Sequence, residues 1–225
     1  MNIDNWNWYL KYNNGNLGMA QQTYEPLISL DGKTFCANYD WKNCYQQMDE
    51  IRPLYTKEVC DYFFKQEIKY IDIFKNKTYA PEVIDIDEKR KRIFIKWYNN
   101  SCNHTIHNDQ TVQLEWFDKI REIILDQYKD GYYKLTMYPH CHYIDNENNM
   151  RSIDWYGVVS TKQPYIKEKY MEAIIHDSAR FRLDETGDRQ DNLINLEIMF
   201  KRSLSTHVLW GDTNLNYIYE EIFNA

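Results

Sequence analysis

Tyr79-Ala80-Pro81-Glu82-Val83-Ile84-Asp85-Ile86-Asp87, the charged turn Glu88 to Lys91, and Arg92-Ile93-Phe94-Ile95-Lys96-Trp97-Tyr98 form the most informative stretch of this 225-residue chain. β-Branched and aromatic residues fill both runs, and a short polar turn separates them. That is the pattern of two strands, Glu82 to Asp87 and Arg92 to Tyr98, joined as a hairpin.

Toward the amino terminus, Thr56 is placed to cap a helix from about Lys57 to Lys75. Cys60, Phe63, Phe64, Ile71 and Phe74 share one face of it, and Glu67 falls on that same face, where a carboxylate needs a partner. Further upstream, Tyr24 to Leu30 and Thr34 to Tyr39 flank Asp31-Gly32-Lys33, a pair of strands around a tight turn. Trp6 to Tyr12 alternates apolar and polar residues and leads into a turn holding Gly15 and Gly18. A five-stranded sheet with one inserted helix is expected.

Toward the carboxyl terminus, Asn99 to Gln110 is a polar connector with His104 and His107 three residues apart. It precedes a helix from Val112 to Tyr128 striped by Trp116, Phe117, Ile120, Ile124 and Tyr128. Tyr132 to Ile144 and Met150 to Trp155 read as a small hairpin carrying His140, His142 and Asp154. Tyr165 to Ile175, Asn192 to Leu204 and Leu215 to Phe223 have helical patterns, punctuated by Gly187 and Gly211. The fold class expected is α+β, with a sheet-rich lobe over 1–98 and a mainly helical lobe over 99–225 acting as one cooperative domain.

Aromatic residues make up 16% of the chain, enough for a packed interior despite a polar mean hydropathy. The formal net charge of −7 works against extended nucleic-acid binding. The tyrosines and tryptophans are accordingly expected in the core rather than stacked on bases. No run approaches the length of a membrane span and Met1 to Leu10 has no apolar signal core, so a cytoplasmic protein is expected. Cys36, Cys44, Cys60, Cys102 and Cys141 are odd in number and lack a CxxC pair, so reduced thiols are expected.

The order of Gly-containing turn, hairpin, helix glutamate, two strands, connector, long helix and Met150-Arg151-Ser152-Ile153-Asp154-Trp155-Tyr156-Gly157 resembles a particular branch of the protein-kinase-like fold. That branch contains aminoglycoside and choline phosphotransferases and lipopolysaccharide kinases. In composition and in Tyr138-Pro139-His140-Cys141-His142 the chain is also similar to small marine-phage proteins, which would place it in the host cytoplasm. The resemblance implies a two-lobed fold with a cleft for a nucleotide or small ligand, faced by Glu67 and Asp154. It implies Mg²⁺ and ATP as cofactors, with Asp154 as the metal carboxylate and Glu67 orienting a cationic partner. Gly15 and Gly18 would bend over phosphates, although two glycines in a loop more often mark an ordinary turn.

Two positions depart from the family's pattern. Asn38 stands where the strand lysine belongs, and the catalytic-loop overlay places Thr136 at the base and Cys141 at the second metal ligand. A threonine does not accept a proton near neutral pH as a carboxylate does, which leaves His140 or His142 to supply acid/base chemistry. Three functions follow: an atypical phosphotransferase; an inactive pseudokinase that binds a host or viral protein; and a hydrolase using a transition metal at His140 and His142. In an extended segment those two histidines share a side, while Cys141 points away.

Overall fold

The computed structural model describes residues 7–8, 27–29, 31–41, 56–98, 114–136, 141–167, 169–170, 174, 193–205 and 216–223. The chain divides into two units, one built from 1–75 and 81–99 and the other from 76–80 and 100–225.

The first unit holds an antiparallel five-stranded sheet. Its strands are β1 (Asn7–Trp8), β2 (Leu27–Ile28), β3 (Thr34–Asn38), β4 (Val83–Asp87) and β5 (Arg92–Lys96), in the order β1-β2-β3-β5-β4. The expected Asp-Gly turn joins β2 to β3. Gly32 takes φ 69°, and the Asp31 carboxylate accepts hydrogen bonds from the Ser29 hydroxyl (2.5 Å) and the Lys33 amide (3.0 Å). Those two donors hold the Asp31 carboxyl below its ordinary range. Phe35, Cys36 and Ala37 of β3, and Ile93, Phe94 and Ile95 of β5, are buried in unbroken runs, because these central strands are covered on both faces. Helix α1 (Lys57–Phe74) starts at Thr56, whose hydroxyl accepts the Val59 amide at 3.3 Å, a cap worth about 1 kcal/mol. Val59, Cys60, Phe63, Phe64, Tyr70, Ile71 and Phe74 bury its apolar face.

The second unit contains α2 (Leu114–Lys129), α3 (Leu196–Ser205) and α4 (Asn216–Phe223), with three antiparallel strand pairs. The pairs are β6 (Tyr132–Lys134) with β9 (Val158–Ser160), β7 (His142–Ile144) with β8 (Met150–Ser152), and β10 (Tyr165–Lys167) with β11 (Leu193–Asn195). Gly131, at φ 91°, turns the chain from α2 into β6, and its amide donates to the Tyr128 carbonyl (2.9 Å). Rings join the elements: Tyr133 stacks on Phe200 at 4.7 Å, and Tyr128 meets Phe223 edge-on at 5.7 Å. Arg121 of α2 grips Glu221 of α4 through two guanidinium nitrogens. Burial pushes the Tyr133 phenol up to about 12.

Segment 76–80 belongs to this second unit although it follows α1 directly. Lys77 pairs with Asp126 (2.7 Å) and Asp130 (2.8 Å), and the Tyr79 hydroxyl donates to Asp126 (2.6 Å). The Tyr79 ring stacks on Trp155 at 6.0 Å. Its carbonyl accepts the Ser152 amide (2.9 Å), and the Ala80 carbonyl accepts Arg151 Nη1 (2.8 Å).

Three sequence expectations are corrected. Tyr132 to Ile144 is not one arm of a hairpin, because β6 pairs with β9 while β7 pairs with β8. Tyr165–Lys167 is a strand whose exposed–buried–exposed alternation was too short to outweigh the helical pattern around it. The expected helix from Asn192 begins at Leu196, because Leu193–Asn195 pairs with β10 and Asn195 Oδ1 accepts the Ile198 amide (3.0 Å) as a cap.

Candidate functional site

Asp154 lies two residues beyond β8 and immediately before a single 3₁₀ turn, Trp155–Gly157. It adopts φ 60° and ψ 52°, a left-handed conformation uncommon for a residue with a Cβ. Two side chains hold its backbone there. The Thr136 hydroxyl donates to the Asp154 carbonyl at 2.7 Å. The Lys134 ammonium spends its three protons on Thr136 Oγ1 (2.8 Å), the Ile153 carbonyl (2.8 Å) and the Asp154 carbonyl (3.3 Å), and lies 5.5 Å from the Trp155 ring centroid. Both side chains are only 1% exposed. A polar bridge in this setting has to be satisfied, since a buried amine without acceptors costs several kcal/mol.

Gly157 completes the support. Leu135 N–H donates to its carbonyl (2.8 Å), and a Cβ on Gly157 would meet Thr136 Cγ2 at 2.4 Å. The glycine is there because the Thr136 side chain occupies the space a Cβ needs.

The Asp154 carboxylate faces Cys141. Ile153 N–H donates to the Cys141 carbonyl (2.8 Å), which continues the β7–β8 ladder by one step and brings the two residues side by side. Cys141 Sγ donates to Asp154 Oδ2 at 2.9 Å, and the cysteine is 1% exposed. Cys141 lies immediately before β7, and the alternation expected across His140, Cys141 and His142 involves His140, which falls outside the described residues. The resemblance had placed Cys141 at the second metal-ligand position. Among the described residues, the side chains that meet here are one carboxylate and one thiol. Mg²⁺ prefers a shell made wholly of oxygen, so the thiol does not fit it. Among the described residues no group of three or more His, Cys, Asp or Glu side chains is arranged to hold a metal ion.

His142 lies on β7 opposite Ser152 and is fully buried. His140, Gly15 and Gly18 fall outside the described residues. In the first unit Glu67 is fully buried and accepts the Tyr39 hydroxyl at 3.3 Å. Asn38 ends β3, and its Oδ1 accepts the Asp40 amide (3.2 Å) and Arg92 Nε (3.4 Å). Sequence reasoning missed Lys134 and Gly157. A lysine at a strand end ordinarily reads as a solvated position, and one glycine after Asp-Trp-Tyr reads as a plain turn.

No family model and no curated protein matches the chain. Among solved structures, the crystal structure of monomeric WbdD matches over 96% of this chain and 48% of that one, at 12% identity and a TM-score of 0.50. A structure of the bifunctional kinase-methyltransferase WbdD matches over 96% and 45%, at 14% identity and a TM-score of 0.50. A complex of Rio2 kinase with ADP/Mg²⁺ and phosphoaspartate from Chaetomium thermophilum matches over 94% and 66%, at 12% identity and a TM-score of 0.44. The chain spans about half the length of the WbdD chains that it matches. At these identities the likeness speaks to fold alone, and the fold is kinase-like, with an antiparallel amino-terminal sheet, one long helix beside it in sequence, and a helix-containing carboxyl-terminal unit.

Proposed function

We propose that this chain is a kinase-like protein that binds a nucleotide or another phosphate-bearing small molecule through a divalent cation at Asp154, and that it transfers phosphoryl groups poorly or not at all. The observation that supports the reading is the support built under Asp154: a buried lysine and a buried threonine fix the backbone of a left-handed aspartate. Such a conformation costs of order 1–3 kcal/mol and persists only where its surroundings impose it. Phosphoryl transfer depends on positioning and charge neutralisation, so a fixed carboxylate is the part of the machinery that ligand binding needs most.

The same geometry argues for weak turnover. Thr136, at the position of the base, is buried and its proton is directed to the Asp154 carbonyl. His142, the alternative acid/base group, is fully buried. A pseudokinase that presents a ligand-loaded fold to a host or viral protein partner fits these two features better than an atypical phosphotransferase or a hydrolase does.

Calorimetry and thermal-shift titration with a non-hydrolysable ATP analogue, in the presence of Mg²⁺, Mn²⁺ or Zn²⁺ in turn, test the reading. The expected result is binding with at least one cation, weakened about tenfold or more in Asp154→Asn, and ATP consumption at background level. Absence of binding heat at millimolar analogue with every cation would overturn the ligand-binding reading, and turnover on the scale of ordinary kinases, about 1–100 per second, would overturn the pseudokinase reading.

A further inference from the structure

We propose that Tyr79 is a positioning residue for the site at Asp154: it holds the chain on both sides of that aspartate and so fixes the direction of the carboxylate. The inference rests on the reading of Asp154 as the ligand-binding carboxylate and adds a residue from the segment between α1 and β4 that sets its geometry.

Tyr79 is buried, and its carbonyl, its ring and its hydroxyl are each engaged. The carbonyl accepts the Ser152 amide (2.9 Å), two residues before Asp154. The ring lies 6.0 Å from that of Trp155, the residue after Asp154, with 12° between the two planes, which is the spacing of an offset stack. The hydroxyl donates to Asp126 (2.6 Å) and so holds the ring from its far end. The indole is tied back in turn, because Trp155 Nε1 donates to the Ser152 carbonyl at 2.8 Å. Tyr79, Ser152 and Trp155 thus form a closed set of contacts, and Asp154 lies in the stretch of chain that they enclose.

This set does something that the grip on the Asp154 carbonyl does not. Thr136, Lys134 and Cys141 hold main-chain atoms of Ile153 and Asp154. On the far side of Asp154 it is the Trp155 indole that must stay in place, and Tyr79 supplies the flat surface on which it rests. Without that surface the indole can tilt, and the peptide between Asp154 and Trp155 can turn with it. The φ of 60° would then relax toward the regions that a residue with a Cβ ordinarily prefers, and the carboxylate would swing away from its present direction.

The test uses the isotope-labelled full chain, first without ligand. The Asp154 Cα and carbonyl chemical shifts distinguish a left-handed backbone from an ordinary one. Tyr79→Phe keeps the ring and loses the hydroxyl, Tyr79→Leu loses the ring, and Leu204→Ala, a truncation of a buried side chain in α3, controls for lost stability. Tyr79→Phe and Leu204→Ala are expected to keep the left-handed shifts and Tyr79→Leu to lose them. Calorimetry with a non-hydrolysable ATP analogue, in Mg²⁺, Mn²⁺ or Zn²⁺ in turn, gives the second readout. Binding is expected to weaken about tenfold in Tyr79→Leu and to be unchanged in the other two variants. Should Tyr79→Leu fail to fold, native-state hydrogen exchange on the unsubstituted protein decides. The Ala80 amide, which donates to the Lys77 carbonyl, and the Val158 amide, which donates to the Trp155 carbonyl, should open with the same free energy and the same urea dependence.

Left-handed shifts that survive in Tyr79→Leu, or that are lost equally in Leu204→Ala, would overturn the assignment, as would a Val158 amide that opens at lower free energy than Ala80. If the unsubstituted protein binds no analogue with any of the three cations, the ligand-binding reading falls, and the ligand-free shifts decide on their own whether Tyr79 sets the Asp154 turn.

Discussion

Gly157 is the residue at which this fold leaves no room for a side chain. A Cβ there would come within 2.4 Å of Thr136 Cγ2 and 2.8 Å of Thr136 Oγ1, both atoms of a buried side chain whose hydroxyl is committed to the Asp154 carbonyl. Gly157→Ala is therefore expected to destabilise the protein by about 1–3 kcal/mol through overpacking. Thr136→Ala removes both close atoms, so the double variant should recover part of that loss, with a coupling energy of about 1 kcal/mol in urea denaturation. Additive losses would mean that the strain at Gly157 has another source. The coupling also bears on function: if Thr136 exists to fix Asp154, Thr136→Ala should weaken cation-dependent ligand binding even where the fold survives.

The β7–β8 hairpin shows how an element reaches the site through its turn. Asp145, 6% exposed, accepts the Glu147 and Asn149 amides on Oδ1 (2.8 and 2.9 Å) and Arg151 Nε on Oδ2 (2.7 Å). Burial works to raise its carboxyl, but Arg151 and the Asn149 donors outweigh it and hold the group below its ordinary value of 3.8. A depressed folded value means the stabilisation is complete above the unfolded value and is lost as pH falls from about 3.8 through the folded one. Asp145→Asn should cost about 2 kcal/mol at pH 7, and its gap from the unsubstituted protein should narrow below pH 3.8, as read from urea midpoints along a pH series. A gap that stays constant into acid would show that the ion pair contributes nothing.

Element by element, legibility followed locality. The Asp31-Gly32 turn, the capped stripe of α1 and the runs of β4 and β5 are written in adjacent residues, and the five-stranded sheet expected from them is observed, whereas its strand order is set by pairing between distant segments. Asp154 stands out for the same reason, lying between Ile153 and Trp155, both buried, while its role as a cation ligand belongs to the proposed function. The split of Tyr132 to Ile144 between two partners was not, because pairing with Val158–Ser160 is decided some twenty-five residues downstream of β6. Lys134 was hidden likewise: its acceptors are supplied by Ile153 and Asp154, and no local pattern marks a lysine as buried.

For the molecule as a whole, the chain's path couples what the contacts divide. It passes between the two units three times, after Lys75, after Ala80 and after Asn99. Five residues, Asn76 to Ala80, are thus tied into the second unit while α1 and β4 on either side belong to the first. Their anchor is Asp126, which takes Lys77 and the Tyr79 hydroxyl; burial works to raise its carboxyl, yet those two donors hold it below the ordinary range. An excursion this short cannot let go without loosening the ends of both flanking elements, so the two units should unfold together. Asp126→Asn removes half of the anchor, and because the pair is partly exposed the cost should be modest, about 1 kcal/mol. Native-state hydrogen exchange on the most protected amides tests this directly. Peptides covering Arg92–Lys96 in the first unit and Val158–Ser160 in the second should lose the same opening free energy in the variant. A loss confined to Val158–Ser160 would show two independent cooperative units, and the anchor would then be a local clamp on the second unit alone.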